Sequence, residues 1–360
     1  LNQDGIKVVH TLDEITYKPH SLYIYSSAIP IESDRFEDFH DKENVLSRPE
    51  YLKNLSENHK IIGITGTHGK TSTTALLSHI FHFNNVNVSY LYGGITTFNG
   101  IGGHYGDPDQ PLILETDEAF NTFEKIKISD LLVLNVDSDH LDYFKNLDNY
   151  KDAFYKVMKN VTDNLVINND DLNIKSMKEL KNPVSYGKGI SDDFKVQSPG
   201  TFIYENNKYE IKSDIIGDHF KSNMLGAIIL ALLNGIEIKD SLNAIESFAG
   251  VKRRIELIGI SKGVLIYDDY GHHPTEMEAT ITALKQQTKS KLYVVFQPHR
   301  YTRTMEYFSS FKDSLKLADF AIVTDIYPAG ESPIPGISSK NFEEESIKYL
   351  KSLRYVPEYL

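Results

Sequence analysis

The sequence predicts a three-part α/β protein built around a nucleotide-binding domain, and three observations carry that expectation. A short apolar run, Ile61, Ile62 and Ile64, enters the glycine turn Gly66-Thr67-His68-Gly69-Lys70-Thr71-Ser72 and leaves as the apolar helix face of Ala75-Leu76-Leu77. Short strand signals alternate with helical ones on either side, and the alternation breaks and restarts at Gly250-Val251-Lys252-Arg253-Arg254. At 360 residues the chain suggests two or three cores, not one.

The turn has the build of a phosphate-binding loop. Glycines let backbone N–H groups approach an anion, the new helix N-terminus adds partial positive charge, Lys70 reaches a terminal phosphate, and the Thr71 or Ser72 hydroxyl suits Mg²⁺. Ile64 stands in the place of the consensus's first glycine. The same turn would serve as a plain strand-to-helix connection, but the buried-strand and apolar-helix flanks favour nucleotide binding.

In chain order, residues 1–56 hold strand signals at Ile6-Lys7-Val8-Val9 and Leu22-Tyr23-Ile24-Tyr25 and a charged stretch through Asp41-Lys42-Glu43, as at the end of an α/β unit. Gly93-Gly94 and residues 99–106 predict a surface turn or mobile loop. The runs ending in Glu115 and Asn135 have strand length. In an open parallel sheet ligands gather at the carboxyl ends of strands, so Glu115 and Asn135-Val136-Asp137-Ser138-Asp139-His140 should face the same crevice as the loop. Leu165-Val166-Ile167 reads as a strand and residues 201–212 as a hairpin turning at Asn206-Asn207. Residues 222–234 form an apolar helix stopped by Gly235, and Asp240 is expected to cap a second helix reaching Phe248. The three cations at 252–254 mark a boundary. Strands at 264–267, 292–296 and 320–323 then alternate with helices at 274–286 and 308–317. The expected domains are 1–56, 57–250 and 251–360.

A net charge of −12 argues against a general nucleic-acid binder, so any phosphate site is a local positive pocket. With no cysteine, disulfides, thiol nucleophiles and thiolate zinc sites are excluded. No apolar run reaches the ~18–20 residues that span a bilayer, and the opening Leu1-Asn2-Gln3-Asp4 is unlike a signal peptide, so a soluble, cytoplasmic protein is expected, as a monomer or homodimer. Leu1 in place of methionine, close to a strand signal, suggests a fragment.

Several side chains have two readings each. Glu115 and His140 suit a divalent cation beside phosphates, or are a solvated strand end and an ordinary loop histidine. Asp268-Asp269-Tyr270-Gly271-His272-His273-Pro274 packs carboxylates and imidazoles between a strand and a helix, but adjacent histidines are poorly spaced for zinc. In Phe296-Gln297-Pro298-His299-Arg300-Tyr301-Thr302-Arg303 the arginines suit a carboxylate or a surface salt bridge. Arg253 and Arg254 form a solvated face or a hinge that swings onto a γ-phosphate. His79 and His82, on the helix after the loop, read as packing or surface residues.

Together with Tyr327-Pro328-Ala329-Gly330-Glu331-Ser332-Pro333-Ile334-Pro335-Gly336, these segments resemble the Mur ligase family over residues 61–336, with Tyr25-Ser26-Ser27-Ala28-Ile29 extending the likeness. The last two segments are most like the branch that joins L-alanine to UDP-N-acetylmuramate in peptidoglycan synthesis. The resemblance implies a three-domain Mur ligase architecture: a central P-loop ATPase domain, a partial N-terminal Rossmann-like domain and a truncated C-terminal Rossmann-like domain. It implies ATP and Mg²⁺ as cofactors and an acyl-phosphate intermediate. Residues 66–72, including Gly66, Thr67, His68, Gly69 and Ser72, would bind nucleotide, and Lys70 would neutralise the migrating phosphoryl group. Thr71, Glu115 and His140 would serve Mg²⁺, Asn223 would hold adenine, Arg254 the phosphates and Asp269 the nucleotide. Tyr270, His272, His299, Arg300 and Arg303 would form the amino-acid site.

The chain departs from the family in four places. The family's N-terminal glycine-rich loop would precede Leu1, and the last strands of the third domain would follow Leu360. Phe220 replaces a usual asparagine, which bears on adenine recognition, and Phe154 stands where many relatives carry a carbamylated lysine. The alternatives are the ligase that attaches a recycled tripeptide to the same sugar nucleotide, and a nucleotide-binding remnant without turnover.

Overall fold

A computed structural model describes residues 15–26, 31–32, 34–96, 100–138, 141–177 and 180–350. The strand expected at 6–9, together with Ala28-Ile29, Asn99 and Asp139-His140, lies outside the described residues.

Near the start, β1 (Tyr23–Tyr25) pairs in parallel with β2 (Val45–Ser47), as an α/β unit requires. Helix α1 (Arg48–Asn58) follows at once, begun by a capping box in which Ser47 and Glu50 satisfy each other's backbone N–H groups. Its Leu52 packs with Ile61 and Leu131 of the next unit, so the expected boundary at 56/57 cuts a helix that belongs with the middle domain's core.

That domain is a ten-stranded sheet. Its first strand, β3 (Ile61–Thr65), is wholly buried and leads through the phosphate loop into α2 (Lys70–Phe83). Next come β4 (Ser89–Leu91), β5 (Gly103–His104), β6 (Leu112–Glu115), β7 (Asp130–Val133), α3 (Leu141–Phe144), α4 (Leu147–Lys159), β8 (Asn164–Asn168), α5 (Leu172–Lys175) and β9 (Val184–Gly187). Then follow β10 (Phe194–Ser198), β11 (Thr201–Tyr204), β12 (Asn207–Glu210), α6 (Asp218–Leu233) and α7 (Ile238–Ser247). The strand order is β12-β11-β10-β9-β8-β7-β3-β6-β4-β5. From β4 through β10 neighbouring strands are parallel, while β5, β11 and β12 add antiparallel edges. A parallel sheet must be covered on both faces, and alternate residues of each strand divide between two cores. Ile62, Ile64 and Leu132 meet α2, α6 and α7 on one face; Ile61, Leu131 and Val133 meet α1 and α4 on the other. The phosphate loop therefore leaves the central strand between β6 and β7, at the crevice where ligands collect.

The 201–212 hairpin forms, but its turn falls one residue before the expected Asn206-Asn207: Glu205 and Asn206 carry it at φ of 50° and 66°, and Asn207 already pairs with Tyr204. Helix α6 ends at Leu233, followed by Gly235 at φ 88°. Asp240 does not cap α7: the cap residue is Glu237 and Asp240 lies in the first turn, where its charge still favours the positive helix end.

The linker after α7 is docked, not free, since Val251 bridges Thr96 and Lys252 N–H donates to Ile95 O at 2.9 Å. Beyond it, β13 (Glu256–Ser261) and β14 (Val264–Asp268) form an antiparallel pair. Helix α8 (Pro274–Gln287), β15 (Tyr293–Phe296), α9 (Tyr301–Glu306), α10 (Phe308–Leu315), β16 (Phe320–Val323) and β17 (Ile347–Tyr349) complete the described chain. Strands β15, β16 and β17 are parallel, and Met277, Ile281, Phe296 and Phe311 fill their core. No helix among the described residues is long and apolar enough to cross a membrane.

Candidate active site

The loop's shape follows from its glycines. Gly66 has φ 141° and Gly69 φ 86°, and a Cβ on Gly69 would fall 2.4 Å from Asn223 Nδ2, so the turn needs both the backbone freedom and the missing side chain. Thr67 N–H donates to Asn135 O, and its hydroxyl accepts from Asp137 N–H at 2.8 Å, which ties the loop to the end of β7. Ser72 is buried in the first turn of α2, on the wall shared with Asn223.

Lys70 curls back over the loop. Its ammonium donates to Gly66 O at 2.6 Å and Thr67 O at 3.2 Å and pairs with Glu118 Oε2 at 2.8 Å. Burial alone would discharge it, but Glu118 and Asp117 outweigh burial and hold the ammonium above the ordinary lysine range. Burial pushes the Glu118 carboxyl up, Lys70 pulls it back and Asp117 pushes again, leaving it raised. Glu118 was missed in the sequence; the signal was the run Glu115-Thr116-Asp117-Glu118, three carboxylates directly past a strand end.

Thr71 Oγ1 donates to Glu115 Oε1 at 2.8 Å, and Gly93 N–H donates to Oε2 at 2.7 Å. A hydroxyl in the same helical turn as Lys70 and a carboxylate oxygen this close to it make the hard-oxygen donor set that Mg²⁺ takes. The third expected ligand, His140, lies outside the described residues. Phe154 is fully buried, edge-on to Phe123 at 5.1 Å, so the position of the relatives' lysine belongs here to the core.

Two cavities meet at the loop. One, about 530 Å³, runs from Thr67–Thr71 past Glu115, Asp117 and Glu118 to Arg254, Tyr270 and His272 on the third domain's side. The other, about 440 Å³, is lined by Gly69, Ser72, His219, Phe220, Asn223, Arg254 and Asp269. Arg254 borders both and stands 3.8 Å from Glu276 Oε1. Phe220 packs its ring against His219 at 4.3 Å, so this wall offers a flat apolar face. Asp269 accepts from Ile255 and Gly271 N–H at 2.9 and 2.8 Å, and burial raises its carboxyl despite those bonds. His272 Nδ1 donates to Tyr270 O at 3.1 Å.

The rest of the expected amino-acid site adjoins the first cavity at His272, whose ring lies 6.4 Å from that of His299. His299 stacks on Tyr327 at 5.4 Å, and its ring is lowered by burial and then by Arg303, His272 and Arg300. Arg300, at φ 72°, already holds Glu331 through Nε at 2.6 Å. His299, Arg300 and Arg303 line neither cavity. His79 and His82 are packing residues, His79 against Phe248 and His82 against Tyr90.

His68, Asp137 and His273 bring ligand atoms within 4.8 Å of one another, but both His68 ring nitrogens already face carboxylates, so the group is an ion-paired cluster.

Residues 64–231 match the Mur ligase middle domain, and residues 253–358 match the domain described as Mur ligase, glutamate ligase domain. The UDP-N-acetylmuramate–L-alanine ligase of Dictyoglomus turgidum is 36% identical, covering 96% of this chain and 77% of that protein. The ligase of the same name from Caldicellulosiruptor saccharolyticus is 34% identical over 100% of this chain and 82% of its own length. Among solved structures, the UDP-N-acetylmuramate-alanine ligase of Thermotoga maritima superposes with a TM-score of 0.79 at 23% identity, covering 98% of this chain and 81% of that one, a likeness of fold.

Proposed function

The chain belongs to the Mur ligase family, and from that premise we propose how its cleft works. It is an ATP-dependent ligase that joins L-alanine to UDP-N-acetylmuramate in peptidoglycan synthesis. The observation that carries the mechanism is that phosphate-loop side chains and third-domain side chains border one cavity of about 530 Å³.

A carboxylate is a poor electrophile, so its oxygen first attacks the γ-phosphorus of ATP, giving an acyl phosphate and ADP. The amine of L-alanine then adds to the acyl carbon, loses a proton, and the tetrahedral intermediate collapses to amide and inorganic phosphate. In this reading Lys70 neutralises the migrating phosphoryl group, which replaces Glu118 as its partner. Thr71, Glu115 and His140 would hold Mg²⁺, which would supply charge neutralisation for phosphoryl transfer. The second cavity takes the adenosine, with Asn223 and Asp269 as polar contacts, Phe220 as a stacking face and Arg254 reaching the phosphates. Tyr270 and His272 border the acceptor end. His299, Arg300 and Arg303 lie beyond it and reach the amino-acid carboxylate on further closure, Arg300 exchanging Glu331 for the substrate. Turnover in the cytoplasm, where ATP is available, fits this chemistry.

The test is phosphate release with ATP, Mg²⁺ and UDP-N-acetylmuramate, adding L-alanine, other amino acids or the tripeptide in parallel. Release dependent on L-alanine and lost in Lys70→Ala supports the reading. Tripeptide dependence would select the recycling ligase, and nucleotide binding without release would leave a remnant.

A further inference from the structure

His68, expected among the nucleotide-binding residues, is given no step in the proposed reaction. The backbone of His68 is fixed from both sides, its N–H donating to Asn135 Oδ1 at 2.8 Å and its carbonyl accepting from Asn135 Nδ2 at 3.0 Å. Its imidazole stands between two domains. Nε2 is 3.2 Å from Asp137 Oδ2, after β7, and Nδ1 is 3.4 Å from Glu276 Oε1, in the first turn of α8. Two carboxylates on the two ring nitrogens call for two donors, which only the imidazolium supplies. Thr275 Oγ1 donates to the same Asp137 oxygen at 2.7 Å, and Tyr307 OH donates to Ser138 O at 3.1 Å, so the same surfaces are joined three times. Glu276 is held in turn: its Oε2 accepts from His272 and His273 N–H at 3.0 and 3.3 Å, in α8's capping box. Whatever fixes Glu276 therefore fixes the Tyr270–His273 segment.

We propose that His68 and Glu276 are positioning residues: the His68 imidazolium, clamped between Asp137 and Glu276, holds the third domain shut on the phosphate loop and sets Tyr270 and His272 opposite Lys70. The proposal rests on the ligase reading of the cleft, but closure is measurable without turnover. The charged and titratable groups around the ring are Asp137, Glu276, His219, His272, His273 and Arg254. Burial alone would lower His68, but the hydrogen bonds and charges of Asp137 and Glu276 overcome it and raise the imidazole to about 9. The bond from His68 depresses Asp137, and it depresses Glu276 against the upward push of burial. Opening removes Glu276 and admits water, returning the ring towards the ordinary value of ~6.5. Closing thus takes up a proton. Its stabilisation is complete below ~6.5 and is lost as pH rises through about 9.

The experiment places a fluorescent donor and acceptor on exposed sites of the middle and third domains of the full chain and follows energy transfer from pH 6 to pH 10, in wild type, His68→Gln and Glu276→Gln. In the wild type the closed fraction should fall through about pH 9. Both variants should lower the closed-to-open ratio about tenfold and flatten its pH dependence. In both variants kcat/KM for L-alanine should fall about tenfold or more, because Tyr270 and His272 are no longer set opposite Lys70. If His68→Gln fails to fold, Glu276→Gln carries the test. Closure in the variants that tracks wild type at every pH overturns the proposal. A pH-dependent closure with no ligase turnover upholds the latch and removes the ligase reading instead.

Discussion

Glu118→Gln isolates the charge that pairs with Lys70 at the phosphate loop. Glu118 is fully buried and stands 2.8 Å from an ammonium whose side chain is 13% exposed. Removing one partner of a buried ion pair costs about 3–5 kcal/mol. Two features lessen that here: Lys70 keeps Gly66 O and Thr67 O at 2.6 and 3.2 Å, and the amide still offers an acceptor. The expected loss for the nucleotide-free protein is about 2–3 kcal/mol. ATP brings phosphate charge to the same ammonium and restores much of that loss, so nucleotide should stabilise the variant more than the wild type. Urea unfolding with and without ATP reads both quantities. A loss below about 0.5 kcal/mol, or an equal ATP effect in both proteins, would refute the claim that Glu118 holds Lys70 until phosphate replaces it.

Gly69→Ala forces a side chain onto φ 86° and against Asn223 Nδ2 at 2.4 Å; it should cost about 1–2 kcal/mol and raise the KM for ATP, as steady-state kinetics will show. Glu115→Gln keeps an acceptor for Thr71 but removes charge, so half-maximal activity should require about tenfold more Mg²⁺, read from a magnesium titration. Phe154→Ala empties a fully buried site beside Phe123 and Tyr150 and should cost about 3–5 kcal/mol in urea unfolding, with KM values little changed in the protein that remains folded.

What the sequence made legible was local. The strand, glycine turn and helix of 61–77 announce themselves because a buried strand, a left-handed turn and a helix N-terminus each demand particular residues in immediate succession. Glu115 was legible as the polar end of an apolar run, and the Asn206 turn as a residue tolerant of positive φ. Helix α1 was missed although Ser47 and Glu50 spell a capping box, because the helix exposes most of its polar face and shows weak apolar periodicity. Asp240 was misplaced as a cap because Glu237 at the true cap donates no recognisable capping signal. Glu118, fully buried, sits in a polar run that reads as solvated, and only the turn after β6 brings it under Lys70. The His68–Glu276 contact joins residues 208 apart, a pairing that no local pattern encodes.

The central claim, amide formation through an acyl phosphate, is tested most directly by labelling the carboxylate of UDP-N-acetylmuramate with ¹⁸O and measuring the phosphate released with L-alanine. One labelled oxygen per phosphate is the expected result, because the carboxylate oxygen that attacks ATP leaves with phosphorus. Unlabelled phosphate accompanying amide product would contradict the mechanism, and phosphate released without L-alanine would contradict the coupling that the two-domain cleft is built to enforce.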